Sequence, residues 1–204
     1  MRFFDISLPI HEKMIIYPGN PKPSIQRYAE IPHNRVNEST ISIGSHTGTH
    51  VDSNLHIRDQ VNSVIELPFH SFYGKCKVLD LTDVPETIHK EDLDRFQIIL
   101  GDIILLKTRN SIMGYEQFNE NFVHVKIDAA QYLVETGVKT LGFDYLSVKK
   151  FGGDPEVHEL LINNLTLFEG LNLADVPEGE YLFMGLPLRI ECDGAPARVV
   201  LIEK

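Results

Sequence analysis

The sequence predicts an α/β or α+β domain built on a mixed sheet, on three observations. Strand-like runs outnumber helical ones. Several of those runs are apolar throughout, as strands covered on both faces are. The two element types follow one another in mixed order instead of alternating strictly. At 204 residues, 43% of them apolar, the chain suits one large core, so a single domain over residues 1–204 is expected.

In chain order, Arg2–Ser7, Thr40–Ser45 and Cys76–Leu81 read as strands. Lys90–Phe96 is short and charged, suiting a surface helix, and Asp102–Lys107 is the next strand. Thr108 to His124 is polar, contains glycine and carries Tyr115, Phe118 and Phe122. A loop this long inside a compact domain reads either as a lid or as a surface excursion. Asp128–Glu135 presents Ala129, Tyr132 and Leu133 at helical spacing and stops at Gly137. Val138–Phe143 is again a strand. The third helix opens at Asp154-Pro155, a capping aspartate followed by a proline in the first turn, and ends near Asn163-Asn164. Tyr181–Met184 and Arg198–Ile202 complete the strands.

A formal charge of −10 argues against nucleic acid or an anionic membrane surface as the main partner. No stretch approaches the length of a membrane span, and Met1 to Ile6 opens no signal-peptide run. Cys76 and Cys192 lie far apart, form no metal or redox spacing, and are expected to be buried, inert thiols. A cytoplasmic protein is the expectation.

The chemistry concentrates between Ser45 and His56. Nine histidines spread evenly over the chain would put roughly half of one in an eleven-residue window. This window holds His46, His50 and His56 together with Asp52. All four fall on even positions, so an extended chain would project them from one side, whereas a helix would turn Asp52 away. Thr47-Gly48-Thr49 also disfavours a helix. On a straight strand the His46 and His50 Cα atoms would stand about 13 Å apart, which two imidazoles barely bridge through one ion. A bend at Gly48 would bring them together. Asp52 adds a hard oxygen donor able to reach a second ion. Imidazole with carboxylate suits zinc, manganese or iron(II) better than calcium or magnesium. His56 either completes that site or handles protons, as an imidazole with a pKa near ~6.5 can.

Two distant residues join the candidates. His158 shares a helical face with Leu161 and Ile162, so its imidazole points inward and needs a partner. Glu169 is a carboxylate among apolar neighbours, costly to bury unless paired or bound to metal. Taken alone, His158 reads more readily as a core histidine bonded to backbone, and Glu169 as the partner of an arginine. Together they are what a second ion would require.

The motif His46-Thr-Gly-Thr-His50-Val-Asp52-Ser-Asn-Leu-His56 resembles the H-x-G-T-H-x-D-x-P-x-H signature of the cyclase family, which includes bacterial kynurenine formamidases and isatin hydrolases. Tyr17-Pro-Gly, Gly142-Phe-Asp-Tyr-Leu-Ser, His158-Glu-Leu-Leu, Glu169-Gly-Leu and Asp193-Gly-Ala-Pro-Ala-Arg198 are similar to further elements of that family, nearly end to end. The resemblance implies a three-layer swivelling β/β/α domain, commonly a homodimer or higher homo-oligomer. It implies one or two divalent ions, zinc first and manganese second. His46, His50 and Asp52 would hold one; Asp52, His158 and Glu169 the other. His56 would transfer protons, and Tyr17 would line the substrate pocket. Two departures stand out: Asn54 occupies the usual proline position, and tyrosine occupies the pocket position that is tryptophan in kynurenine formamidases. The implied activity is hydrolysis of an amide of the N-formylkynurenine type. The alternatives are a cyclic amide or lactone hydrolase, a metal-dependent cyclase, or a metal-stabilised binding domain without catalysis.

Overall fold

The computed structural model describes residues 1–203. Its strands are β1 (Arg2–Asp5), β2 (Ser24–Ala29), β3 (Glu38–Ser42), β4 (His50–Asp52), β5 (Tyr73–Asp80), β6 (Thr87–Ile88), β7 (Ile103–Lys107), β8 (His124–Val125), β9 (Thr140–Phe143), β10 (Thr166–Glu169), β11 (Gly179–Pro187) and β12 (Gly194–Glu203). The helices are α1 (Lys90–Leu93), α2 (Arg109–Met113), α3 (Ile127–Thr136) and α4 (Glu156–Asn164). The main sheet runs β1-β12-β11-β5-β7-β9-β10-β4, and β4 also pairs with β12. That second pairing closes the sheet into a barrel with β1 outside the ring. The β5–β7, β7–β9 and β9–β10 pairs are parallel and the rest of the main sheet is antiparallel, which makes it mixed as expected. Parallel neighbours need crossovers, and α1, α3 and α4 fall in the three connections between them.

Alternation along the strands divides the apolar residues between two cores. Ile103 and Leu105 face the barrel interior with Val51, Val78, Phe168, Phe183 and Leu201. Ile104 and Leu106 face outward to Ala129, Leu133 and Leu161 of the helices. Two layers of sheet and one of helix result. The evenly apolar β7 is therefore a strand with no solvent face, and all five of its residues are buried. Helix α3 ends where Gly137 adopts a left-handed φ of 79°, and its N–H returns to the Leu133 and Val134 carbonyls. Asp154 Oδ1 accepts the Glu156 N–H at 3.0 Å, capping the first turn of α4 from one residue further out than a regular cap.

Two expectations require correction. The segment from His46 to His56 is not one extended strand: only His50–Asp52 is strand, His46–Gly48 lies in a turn, and Asn54–His56 forms a single 3₁₀ turn. The stretch from Thr108 to His124 is not a free excursion. It contains α2, buries Asn110, Phe122 and Val123, and is anchored by Asp144. The Asp144 carboxylate accepts from the Thr108 and Ser111 amides and from both hydroxyls at 2.7–3.2 Å. Complete burial pushes Asp144 up to about 6 against the pull of those bonds. Tyr115 adds hydrogen bonds from its hydroxyl to the Asp144 and Leu171 carbonyls. The segment is a fixed wall beside β9 and β10.

Candidate metal centre

The centre is assembled at β4 and β10, adjacent strands with Leu167 opposite Asp52 and Glu169 opposite His50. Gly48 takes a left-handed φ of 66°. This is the bend that turns His46 back onto His50, bringing their ring centroids to 4.9 Å. Helix α4 delivers His158 from the opposite side, its Nε2 lying 3.0 Å from Asp52 Oδ2. The 3₁₀ turn swings His56 over the cluster, with ring centroids 4.1 Å from His46 and 5.4 Å from His158. Asn54, in that turn, donates to Asn163 Oδ1 at 3.2 Å and so ties it to the end of α4.

Asp52 sits at the middle of the cluster. Its Oδ1 is 2.8 Å from His46 Nδ1 and 3.2 Å from His50 Nε2, while its Oδ2 faces His158. Glu169 lies 3.7 Å from both His50 Nε2 and His158 Nε2 and accepts the Val148 N–H at 2.8 Å. Asp52 and Glu169 are only 2% and 3% exposed, so two carboxylates share one dry pocket. Burial raises both, but the imidazoles of His50, His158 and His46 hold Asp52 well below the usual carboxylate range. Glu169 moves the other way, raised by burial and by the neighbouring Asp52 charge. Burial pulls His46 down, yet Asp52 and Asp193 outweigh it and hold this imidazole at about 9. His158 is raised against its own burial by Asp52 and Glu169. Burial lowers His56.

The donor set fits divalent cations. His46, His50 and Asp52 each offer an atom within 4.8 Å of the others, and so do Asp52, His158 and Glu169, with Asp52 common to both groups. Crowded imidazoles around two buried carboxylates form an expensive arrangement for a purely structural core. The outer nitrogens fit as well: His50 Nδ1 lies 2.9 Å from the Gly48 carbonyl, leaving Nε2 toward the carboxylates.

A cavity of about 160 Å³ opens onto the centre, lined by His46, His50, His56, His158 and Glu169 and walled by Tyr17, Asn20, Leu146, Ser147 and Lys149. The Tyr17 ring stands edge-on against Phe118 and Phe151, so the 108–124 wall supports it. All seven sequence-predicted residues therefore meet at one cavity and its floor. One participant was not among them. Asp193, in the turn before β12, places Oδ2 2.7 Å from His46 Nε2 and 3.6 Å from His56 Nδ1. Its neighbour Cys192 is half-buried and donates its thiol to Asp193 Oδ1 at 2.9 Å, so it is not the buried, uninvolved thiol expected. Cys76 is buried as expected, and burial pushes its thiol up to about 12.

Close packing of backbone holds the centre. Gly170 follows Glu169 at a left-handed φ of 71°, and a Cβ there would run into the Gly48 carbonyl oxygen, the group that orients His50. Gly170→Ala is expected to cost about 2–4 kcal/mol in urea denaturation, combining left-handed strain with displaced backbone. Metal uptake should fall with it. Gly101→Ala, at φ 81° with nothing within 4 Å, should cost only about 1 kcal/mol and leave metal uptake unchanged.

Comparison with known proteins agrees with this architecture. Residues 4–150 match the family model named Cyclase. The kynurenine formamidase of Salinibacter ruber is 30% identical over 98% of this chain and 97% of its own length. A solved structure described as a potential metal-dependent hydrolase with cyclase activity superposes with a TM-score of 0.87 at 34% identity, over 100% of this chain and 99% of that one. An isatin hydrolase bound to the product analogue thioisatinate shares the fold, with a TM-score of 0.85 at 19% identity over 99% of this chain and 92% of that one.

Proposed function

This chain belongs to the cyclase family, and from that membership we propose that it is a metal-dependent hydrolase cleaving the amide bond of a small arylformamide of the N-formylkynurenine type. The observation that carries the proposal is the shared Asp52, which joins two cation-binding donor groups on the floor of a cavity that His56 and Tyr17 also line. His46, His50 and Asp52 would hold one ion; Asp52, His158 and Glu169 the second. Zinc is the first candidate and manganese the second, since imidazole and carboxylate donors suit both.

Bound there, the ions supply Lewis acidity, polarising a carbonyl and lowering the pKa of water. The chain's own residues do the rest. Asp52 and Glu169 place negative charge where cations are needed and keep both donor groups in register. His56 takes the proton that the attacking water gives up and passes it to the departing nitrogen; burial lowers its pKa, which favours the free imidazole that first accepts that proton. Tyr17 gives an aromatic substrate a surface to pack on, and the apolar wall behind it restricts water. Lys149 makes no ion pair among the described residues and offers a cation to a carboxylate-bearing substrate. The cavity is smaller than the ~300–1,000 Å³ of drug-sized sites, so it takes the reacting end of a small molecule.

Residues 1–204 act in this proposal as one domain in a cytoplasmic homodimer or higher homo-oligomer. Among the described residues, no helix is long and apolar enough to cross a membrane. The β2–β3 ribbon supports assembly, for it leaves Ile25, Tyr28, Ile31, Val36 and Ile41 between 39% and 66% exposed. The deciding experiment is elemental analysis of the purified protein, followed by assay of N-formylkynurenine and isatin with the identified metal. Chelation should abolish turnover and the same metal should restore it. Fully loaded protein that turns over no formamide, lactam or lactone would return the fold to a binding role.

A further inference from the structure

We propose that Asp193 is a positioning residue that sets the orientation of His46 and His56 together, so that one carboxylate oxygen governs both a metal ligand and the proton carrier. The inference rests on the metal-centre assignment above. Metal-binding imidazoles hand their second ring N–H to a carboxylate or carbonyl, which fixes the tautomer and strengthens the ligating nitrogen. His50 has the Gly48 carbonyl for this purpose. For His46 the group in that position is Asp193 Oδ2, 2.7 Å from Nε2, leaving Nδ1 turned toward Asp52 at 2.8 Å.

The carboxylate is held from several sides. Ser45 Oγ donates to Oδ2 at 3.2 Å and Cys192 Sγ to Oδ1 at 2.9 Å. The Asp193 carbonyl accepts both the amide and the hydroxyl of Ser53, at 3.0 and 2.9 Å. One residue further on, Gly194 pairs with Asp52 across the β12–β4 ladder. The ladder that carries Asp52 thus also fixes where the Asp193 side chain begins. A Cβ on Gly194 would lie 2.6–3.0 Å from three atoms of the His46 ring, so that ring rests directly on backbone and has little freedom to turn. His56 Nδ1 stands 3.6 Å from the same Oδ2, too far for a hydrogen bond but within reach after a small ring rotation. The His46 and His56 rings are 4.1 Å apart between centroids, so turning one moves the other.

The test compares Asp193→Asn, Asp193→Ala and Ser45→Ala with wild type. Metal affinity is measured by chelator competition, metal content at saturation, and kcat and KM with saturating metal. Asp193→Asn keeps the shape and the main-chain bonds to Ser53, so its metal-free fold should match wild type, with a melting temperature lowered only by the loss of the His46 ion pair. Its metal affinity should fall roughly 10–100-fold while full occupancy is still reached at high metal. With occupancy restored, kcat should remain depressed through His56 while KM stays near wild type. Asp193→Ala should be worse in both respects and Ser45→Ala milder in the same direction. Wild-type affinity and kcat in Asp193→Asn would overturn the proposal. So would loss of one whole ion with the remaining sites unaffected, which would make Asp193, His46 and His56 the ligands of an ion of their own. Wild-type protein that takes up no divalent ion would instead overturn the metal centre itself, a result visible before any variant is made.

Discussion

His56→Ala should retain wild-type metal content and metal affinity while losing roughly 10²–10⁴-fold in kcat, the usual contribution of a positioned proton carrier. The separation follows from geometry. His56 belongs to neither donor group centred on Asp52, and it is exposed at the cavity while Asp52 and Glu169 are buried at its floor. Its removal opens space without exposing a buried charge, so the fold should be unaffected. KM should change little, because the ring is proposed to act as the proton reaches the departing nitrogen in the transition state and not in ground-state binding. The measurement is elemental analysis of purified variant and wild type alongside a saturation curve with N-formylkynurenine. If the metal disappears together with the activity, His56 is a ligand and the proton must be carried by another group.

Asp52→Ala should have the opposite signature, with both ions and all turnover lost. Asp52 is the one side chain common to the two groups, and its two oxygens face different histidines. Deleting it leaves each group two donors, and the loss of affinity should exceed the ~10–100-fold expected of a supporting residue such as Asp193. The metal-free protein should suffer too. Asp52 is buried, is the nearest carboxylate to His50 and His158 and is one of two beside His46, so its removal leaves imidazoles in a dry pocket with fewer partners. A lower melting temperature with chelator present, as well as without it, is the expected result. Glu169→Gln sets a useful contrast. It should weaken the His158 side of the centre and leave His46, His50 and Asp52 able to bind one ion. Stoichiometric metal uptake by Asp52→Ala would overturn the shared-carboxylate arrangement.

Much of this centre was legible in the sequence because its first half is local. His46, His50, Asp52 and His56 lie within one short segment, and their density and even spacing carry chemical meaning without knowledge of the fold. The extended segment bent at Gly48 that the spacing suggested was incomplete: the bend is there, but His46 lies in a turn and a 3₁₀ turn at Asn54 carries His56. His158 and Glu169 gave only the weak signal of polar groups among apolar neighbours, and the family resemblance was needed to join them. Asp193 gave less. It stands among Arg189, Glu191 and Cys192, where an aspartate looks like one more loop charge, and the resemblance of Asp193-Gly-Ala-Pro was its only mark. Among the elements, the evenly apolar β7 declared itself, whereas β4, three residues long, has no periodicity to detect. β2 was hidden for another reason: four of its six residues are exposed, and Gln26 and Arg27 interrupt any apolar pattern.

The double pairing of β4 bears on when the protein can become active. Its partners are Leu167–Glu169 on one side and Gly194–Pro196 on the other, both more than a hundred residues downstream. While the chain is being synthesised, His50 and Asp52 emerge before either partner and must wait, flanked by neither ladder, until the segment through Pro196 has followed. Contacts of such long sequence separation are among the slowest to form. A nascent chain arrested before Gly194 would expose the histidine cluster without a closed barrel around it. Completion of the metal centre therefore waits on the closing of the barrel.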